Sequence, residues 1–233
     1  MRPFIPIAWT VGLLAPAGLL LHILALTVGS ASFSEEYEMG TADYWLTRPI
    51  SMAEYFIGKT LGSLTFITII IGFYSVLSLL LPWYIYGPQT RLDIFALAVL
   101  VSIASTGPFL SLGISMGELL RRSMLATITS ASAFFASVII ETYITFVGLI
   151  NNDPTIIELT RYLPTWPATR LVSTALADVL PTGIPVPGPT PFTGAIPGQE
   201  IWAALANLAI YTALFLTIAL VRLTRTDVTR RAT

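Results

Sequence analysis

Four places in this sequence carry side chains whose types and spacing could do chemistry. Gly113-Ile-Ser115-Met-Gly117 has the spacing of a nucleophilic serine, and a serine nucleophile needs a base to take its proton. The single histidine, His22, is the only candidate. The strand-turn-helix setting that such a serine requires is missing from this apolar stretch, so Gly113, Ser115 and Gly117 read more simply as small residues that let helices pack closely. Gly58-Lys59-Thr60 ends like a phosphate-binding loop, but the loop's first glycine would fall on Ala53 and no strand precedes it. ATP is therefore not expected to bind there. His22 has no second histidine or cysteine beside it and reads as a helix-packing residue, with no metal bound by the chain. Glu141 stands deep in an apolar run, where a lone carboxylate must face protein or a water-filled cavity. It lines a pathway, or it is a paired or protonated structural residue to which Thr142 and Thr145 can donate.

The elements that hold these residues follow from composition. Of the 233 residues, 55% are hydrophobic and 11% charged, less than half the roughly 25% charged of a soluble domain. The net charge of −1 argues against a nucleic-acid partner. Hydrocarbon about 30 Å thick is crossed by about 20 apolar helical residues, and five stretches suffice: about 7 to 30, 61 to 83, 93 to 116, 124 to 150 and 199 to 223. The first is too long for a signal peptide's apolar region. The fold class is thus all-α, a polytopic membrane helical bundle of about five spans forming one transmembrane domain over 1 to 233.

With the N-terminus outside, Arg48, Lys59, Arg121, Arg122, Arg222, Arg225, Arg230 and Arg231 lie inside, leaving Arg2, Arg91, Arg161 and Arg170 outside. Basic residues favour the cytoplasmic side, so a multi-pass cell-membrane protein with a cytoplasmic C-terminus is expected. Glu118 with Arg121 and Arg122 makes a second cytoplasmic turn, read as a positive-inside anchor. The external stretch 151 to 198 contains nine of the sixteen prolines, concentrated over Pro181–Pro191; it is a cap over a pathway or a plain connector, with a short interfacial helix at about 168 to 180.

The cytoplasmic elbow, residues 33 to 59, is the most informative segment. Gly40 can close one helix in a left-handed conformation, and Thr41 can cap a new one with Asp43 in its first turn. Pro49 stops that helix, and Ser51 with Glu54 forms a capping box that starts the next span. A short helix presenting Met39, Ala42, Trp45 and Leu46 results, suited to a groove on a partner or to the lipid surface.

Glu36, Glu38, Gly40 and Thr41, then Thr47, Pro49, Ile50 and Ser51, then Gly58 and Lys59 together resemble the pattern after the second span of ABC-2-type transporter permeases. Tyr162-Leu-Pro164 before the last span is similar to a stretch of that family as well. The resemblance implies that the elbow is a coupling helix seated on a separate ATP-binding subunit, where ATP and Mg would be held. It implies a second permease subunit, identical or not, and no enzyme activity in this chain. Alternating access, more often for export than import, would be the mechanism. The family usually has six spans and a lead-in helix; with five here, either another subunit fills the place or the start is internal to a longer protein. Two other functions stay open: a non-transporting membrane anchor of a larger complex, and an intramembrane serine protease using Ser115.

Overall fold

The computed structural model describes residues 6–17, 19–41, 44, 50–179, 196 and 200–225. They form an all-α membrane bundle with no strand among the described residues. In chain order its helices are α1 (Ala8–Ala17), α2 (Leu20–Glu38), α3 (Met52–Tyr86), α4 (Phe95–Ser105), α5 (Gly107–Leu120), α6 (Ser123–Ile150), α7 (Pro154–Glu158), α8 (Thr165–Ala175) and α9 (Ile201–Thr224), with 3-10 turns at Leu92–Ile94 and Leu159–Tyr162. Among the described residues, Met52–Tyr86, Leu92–Leu120, Ser123–Ile150 and Ile201–Thr224 are long and apolar enough to cross a membrane. The spans expected from about 61, 93, 124 and 199 fall on these four. At about 1.5 Å per residue, the 35 residues of α3 reach well beyond a hydrocarbon layer of about 30 Å.

The first expected span, 7 to 30, differs: it is two helices rather than one. α1 stops at Ala17, Leu19 takes φ −136° and ψ −54°, and α2 restarts at Leu20 and continues to Glu38. Proline explains the interruption. Pro16 has no N–H to give to the carbonyl of Gly12 one turn earlier, and the Tyr74 hydroxyl of α3 donates to that carbonyl instead. The two pieces still run antiparallel along α3, with Gly12 against Ser78 near one end and Lys59 Nζ donating to the Ser32 carbonyl, 2.7 Å, near the other. A second break separates α4 from α5. Pro108 withholds a donor from Ala104, and Thr106 turns back to donate from Oγ1 to Ile103 O at 2.7 Å.

The bundle is held most extensively where α2 and α5 run side by side. A Cβ added to Gly117 would lie 2.5 Å from the carbonyl oxygen of Ser30, and one added to Gly113 would lie 2.9 Å from the Ser30 nitrogen. A Cβ on Gly29 would strike the carbonyl of Leu110. The backbones therefore touch directly, the arrangement that small residues permit when lipid tails give helices no hydrophobic reason to associate. Many buried hydroxyls are satisfied within their own helices: Ser34 donates to Ser30 O at 2.5 Å and Ser102 to Ala98 O at 2.7 Å. Ser30 also shares a 3.0 Å hydrogen bond with Thr127 of α6, which ties a third helix to the crossing.

Substituting Gly113→Val forces this crossing apart and is expected to destabilise the protein by about 3 kcal/mol, the upper range for over-packing, measured by reversible unfolding in mixed micelles. Gly72→Ala, where an added Cβ meets nothing within 4 Å, is expected to be neutral or to stabilise by up to about 1 kcal/mol.

Candidate functional site

The last turn of α2 carries Glu36, Tyr37 and Glu38, and successive helical residues point about 100° apart. Each of the three therefore reaches a different neighbour. Glu36 forms an ion pair with Lys59 of α3 and accepts a hydrogen bond from the Tyr55 hydroxyl. Tyr37 donates its hydroxyl to Glu118 Oε2 of α5 at 2.8 Å, and the Arg121 guanidinium lies 4.5 Å from the centre of its ring. Glu38 Oε1 accepts the backbone N–H of Ser123 at 3.0 Å, so a carboxylate sits at the N-terminus of α6, where unpaired N–H groups and the helix dipole favour it.

Glu118 is the most enclosed member of this hub. It has no solvent exposure, and Arg121 Nη2 approaches its Oε1 at 3.2 Å. A buried carboxylate persists only when its charge and lone pairs are matched. Tyr37 and Arg121 do this, and Arg121 can reach back because its left-handed conformation, φ 54°, makes the sharp turn between α5 and α6. The turn expected to be a positive-inside anchor is thus also an internal contact.

Immediately after the hub the helix is closed. Gly40 has φ 69°, its N–H donates to Tyr37 O at 3.3 Å, and the Thr41 N–H donates to Glu36 O at 2.9 Å, which is the paired pattern of a Schellman motif. Across the elbow, Ser51 Oγ accepts from Glu54 N at 3.1 Å while Glu54 Oε2 accepts from Ser51 N at 2.8 Å. This is the expected capping box, and it starts α3. Residues 42, 43 and 45–49, which include Trp45, Thr47 and Pro49 and the short helix Thr41 would cap, lie outside the described residues. So does the proline-rich run Pro181–Pro191. Gly58 lies on an open face of α3, with nothing within 4 Å of an added Cβ.

The remaining candidates resolve into packing. Ser115 is fully buried within α5, and its Oγ has no hydrogen-bond partner, so no Ser115–His22 dyad forms. His22 sits among aromatic rings, 5.1 Å from Phe109 edge-on and 6.0 Å from Phe134. Gly58-Lys59-Thr60 is helix interior, and its lysine is spent on Glu36. Glu141 is fully buried and pairs with Arg170 of α8 at 3.0 Å. Thr142 and Thr145 donate to the backbone carbonyls of Val138 and Glu141 rather than to its carboxylate. The interfacial helix expected at 168 to 180 begins earlier, as α8 at Thr165, and is sunk into the bundle with every residue from Thr165 to Thr169 buried.

Sequence reasoning singled out Glu36 and Glu38 but not the tyrosine between them, and grouped Glu118 with the basic turn. The signal available was position: a tyrosine flanked by two motif acids must point to a third neighbour, and Glu118 follows Gly117 on the helix whose glycines demand close packing.

A family model described as ABC-2 family transporter protein matches residues 7–228, which includes the hub, the elbow and every candidate span. No curated protein and no solved structure matches the chain. Tyr37→Phe leaves the buried Glu118 carboxylate short of one donor, and a hydrogen bond to a charged group contributes about 1.5–3 kcal/mol. Reversible unfolding is expected to register a loss of that size, with Arg121→Gln costing at least as much.

Proposed function

Because the chain belongs to the ABC-2 transporter family and is a membrane permease subunit of an ABC transporter, we propose that the elbow spanning Glu36 to Ser51 is its coupling element, and that the transporter is an exporter. The observation that carries this reading is the three-way hub at the foot of α2, where consecutive residues hold α3, α5 and α6. An ATP-binding partner subunit would seat on the elbow, with Trp45 as its principal apolar contact. ATP and Mg would be held by that partner, and the engagement of the lysine of Gly58-Lys59-Thr60 by Glu36 is in line with this.

Closure of two such partners would displace the elbows of two permease subunits. Because the hub ties the elbow to three helices at once, displacement moves them together and not one at a time. A partner can bias the spans only if it binds one arrangement more tightly than the other, and coupling of about 1–3 kcal/mol is ordinary for such a linkage. The elbow end faces the cytoplasm in this reading, in line with the positive-inside bias, and the N-terminus lies outside. Glu141 belongs with Arg170 as a fixed ion pair of the opposite half; its full enclosure favours this over a pathway-lining role.

Purification of the chain with its ATPase, followed by ATPase and vesicle-transport assays, tests the proposal. Trp45→Ala is expected to weaken co-purification, whereas Glu38→Gln is expected to retain the ATPase but lower transport per ATP about tenfold, equivalent to about 1.4 kcal/mol of coupling. An ATPase whose co-purification is indifferent to Trp45→Ala, in vesicles that show no ATP-driven transport, would instead identify a membrane anchor that does not transport.

A further inference from the structure

A groove of about 660 Å³ runs between α2 and α3 at the elbow end. Its volume falls within the roughly 300–1,000 Å³ of small-molecule sites, which are mostly apolar with a few placed polar groups. Along its length the character changes. Val28 and Phe66 line the end toward the middle of the bundle, and Glu35 and Glu54 stand at the mouth, one on each helix. Between them the wall of α3 is bare, because an added Cβ at Gly58 or Gly62 meets nothing within 4 Å.

The charges lining the groove do not cancel. Lys59 is committed to Glu36, while Glu35 and Glu54 have no cationic partner among the described residues. Among the described lining residues, three carboxylates against one ammonium leave a net of two negative charges. The hydrogen bonds that Glu54 accepts come from Ser51, a neutral donor, so its charge is not offset. Tyr55 also lines the groove, its hydroxyl engaged by Glu36.

We infer that this groove is a binding site for a hydrophobic organic cation, held with its charge between Glu35 and Glu54 and its apolar body against α3 toward Phe66. A neutral molecule of the same shape would gain only the apolar contact, and an anion would be repelled at the mouth. The site is a property of this chain alone and stands whether or not the elbow couples to an ATPase.

Binding of radiolabelled tetraphenylphosphonium to the full chain, purified in an uncharged detergent, tests the inference against tetraphenylborate, an anion of nearly the same shape. Saturable binding of the cation and none of the anion is expected. The pair Glu35→Gln with Glu54→Gln is expected to weaken cation binding about tenfold or more, as loss of two charge contacts near a protein surface implies. Glutamine at position 54 still completes a capping box, so α3 keeps its start. Gly62→Leu, at a position where an added Cβ meets nothing within 4 Å, places its side chain in the groove and is expected to abolish binding while the unfolding midpoint is unchanged. Equal uptake of cation and anion, or cation binding indifferent to both substitutions, would overturn the assignment. Co-purification of an ATPase with these variants reports on the coupling proposal separately.

Discussion

Everything at the elbow end depends on one constraint: a helix turns about 100° per residue, so Glu36, Tyr37 and Glu38 cannot face the same way. The chain uses this to grip α3 through an ion pair, α5 through a hydrogen bond to a buried carboxylate, and α6 through its exposed N-terminus. The helix then ends within two residues, because Gly40 takes a conformation that other residues adopt only at a cost. The elbow leaves a point already fastened in three directions. A separate subunit pressing on it would have one rigid body to push against.

The hub is possible only because α2 and α5 lie close enough for a tyrosine hydroxyl to reach Glu118. Gly29, Gly113 and Gly117 bring the two backbones into contact, and van der Waals contact replaces the hydrophobic driving force that lipid does not supply. Proline acts at the other end of the same span. Pro16 removes one backbone hydrogen bond, and Tyr74 of α3 repairs it from outside the helix, so the break becomes a fixed bend against α3 where solvent could not have satisfied the carbonyl.

Local chemistry was legible in the sequence. Gly40 as a left-handed cap and the Ser51–Glu54 box depend on neighbours within a few positions, and both stand as expected. The packing role of Gly113 and Gly117 was legible because residues lacking side chains in an apolar helix have few other uses. What could not be read were pairings between distant segments. The sequence already argues against a phosphate loop at Lys59, but its partner Glu36 becomes visible only in the antiparallel register of α2 and α3. Glu118 looked like a surface turn until Tyr37 covered it. The break near Pro16 escapes a sequence reading because an apolar stretch of that length averages over a single interruption, and α8 reads as a surface helix because its threonines and Arg170 mask a helix buried over most of its length.

The absence of cysteine makes the rigidity of the hub directly measurable, since paired labels can be introduced without removing native thiols. Met39, Ile57 and Met124 are exposed at 67%, 54% and 73% and flank the hub at the end of α2, on α3 and on α6. With spin labels on pairs of these positions and on Tyr84 against Tyr143 toward the opposite end, distances are measured by pulsed electron resonance in the reconstituted transporter with and without ATP. Distances among the three hub positions are expected to stay constant to within about 2 Å while the distant pair changes by more, as a rigid body driving a rearrangement requires. Hub distances that change with ATP while the distant pair stays fixed would contradict it, and would mean that the elbow moves alone.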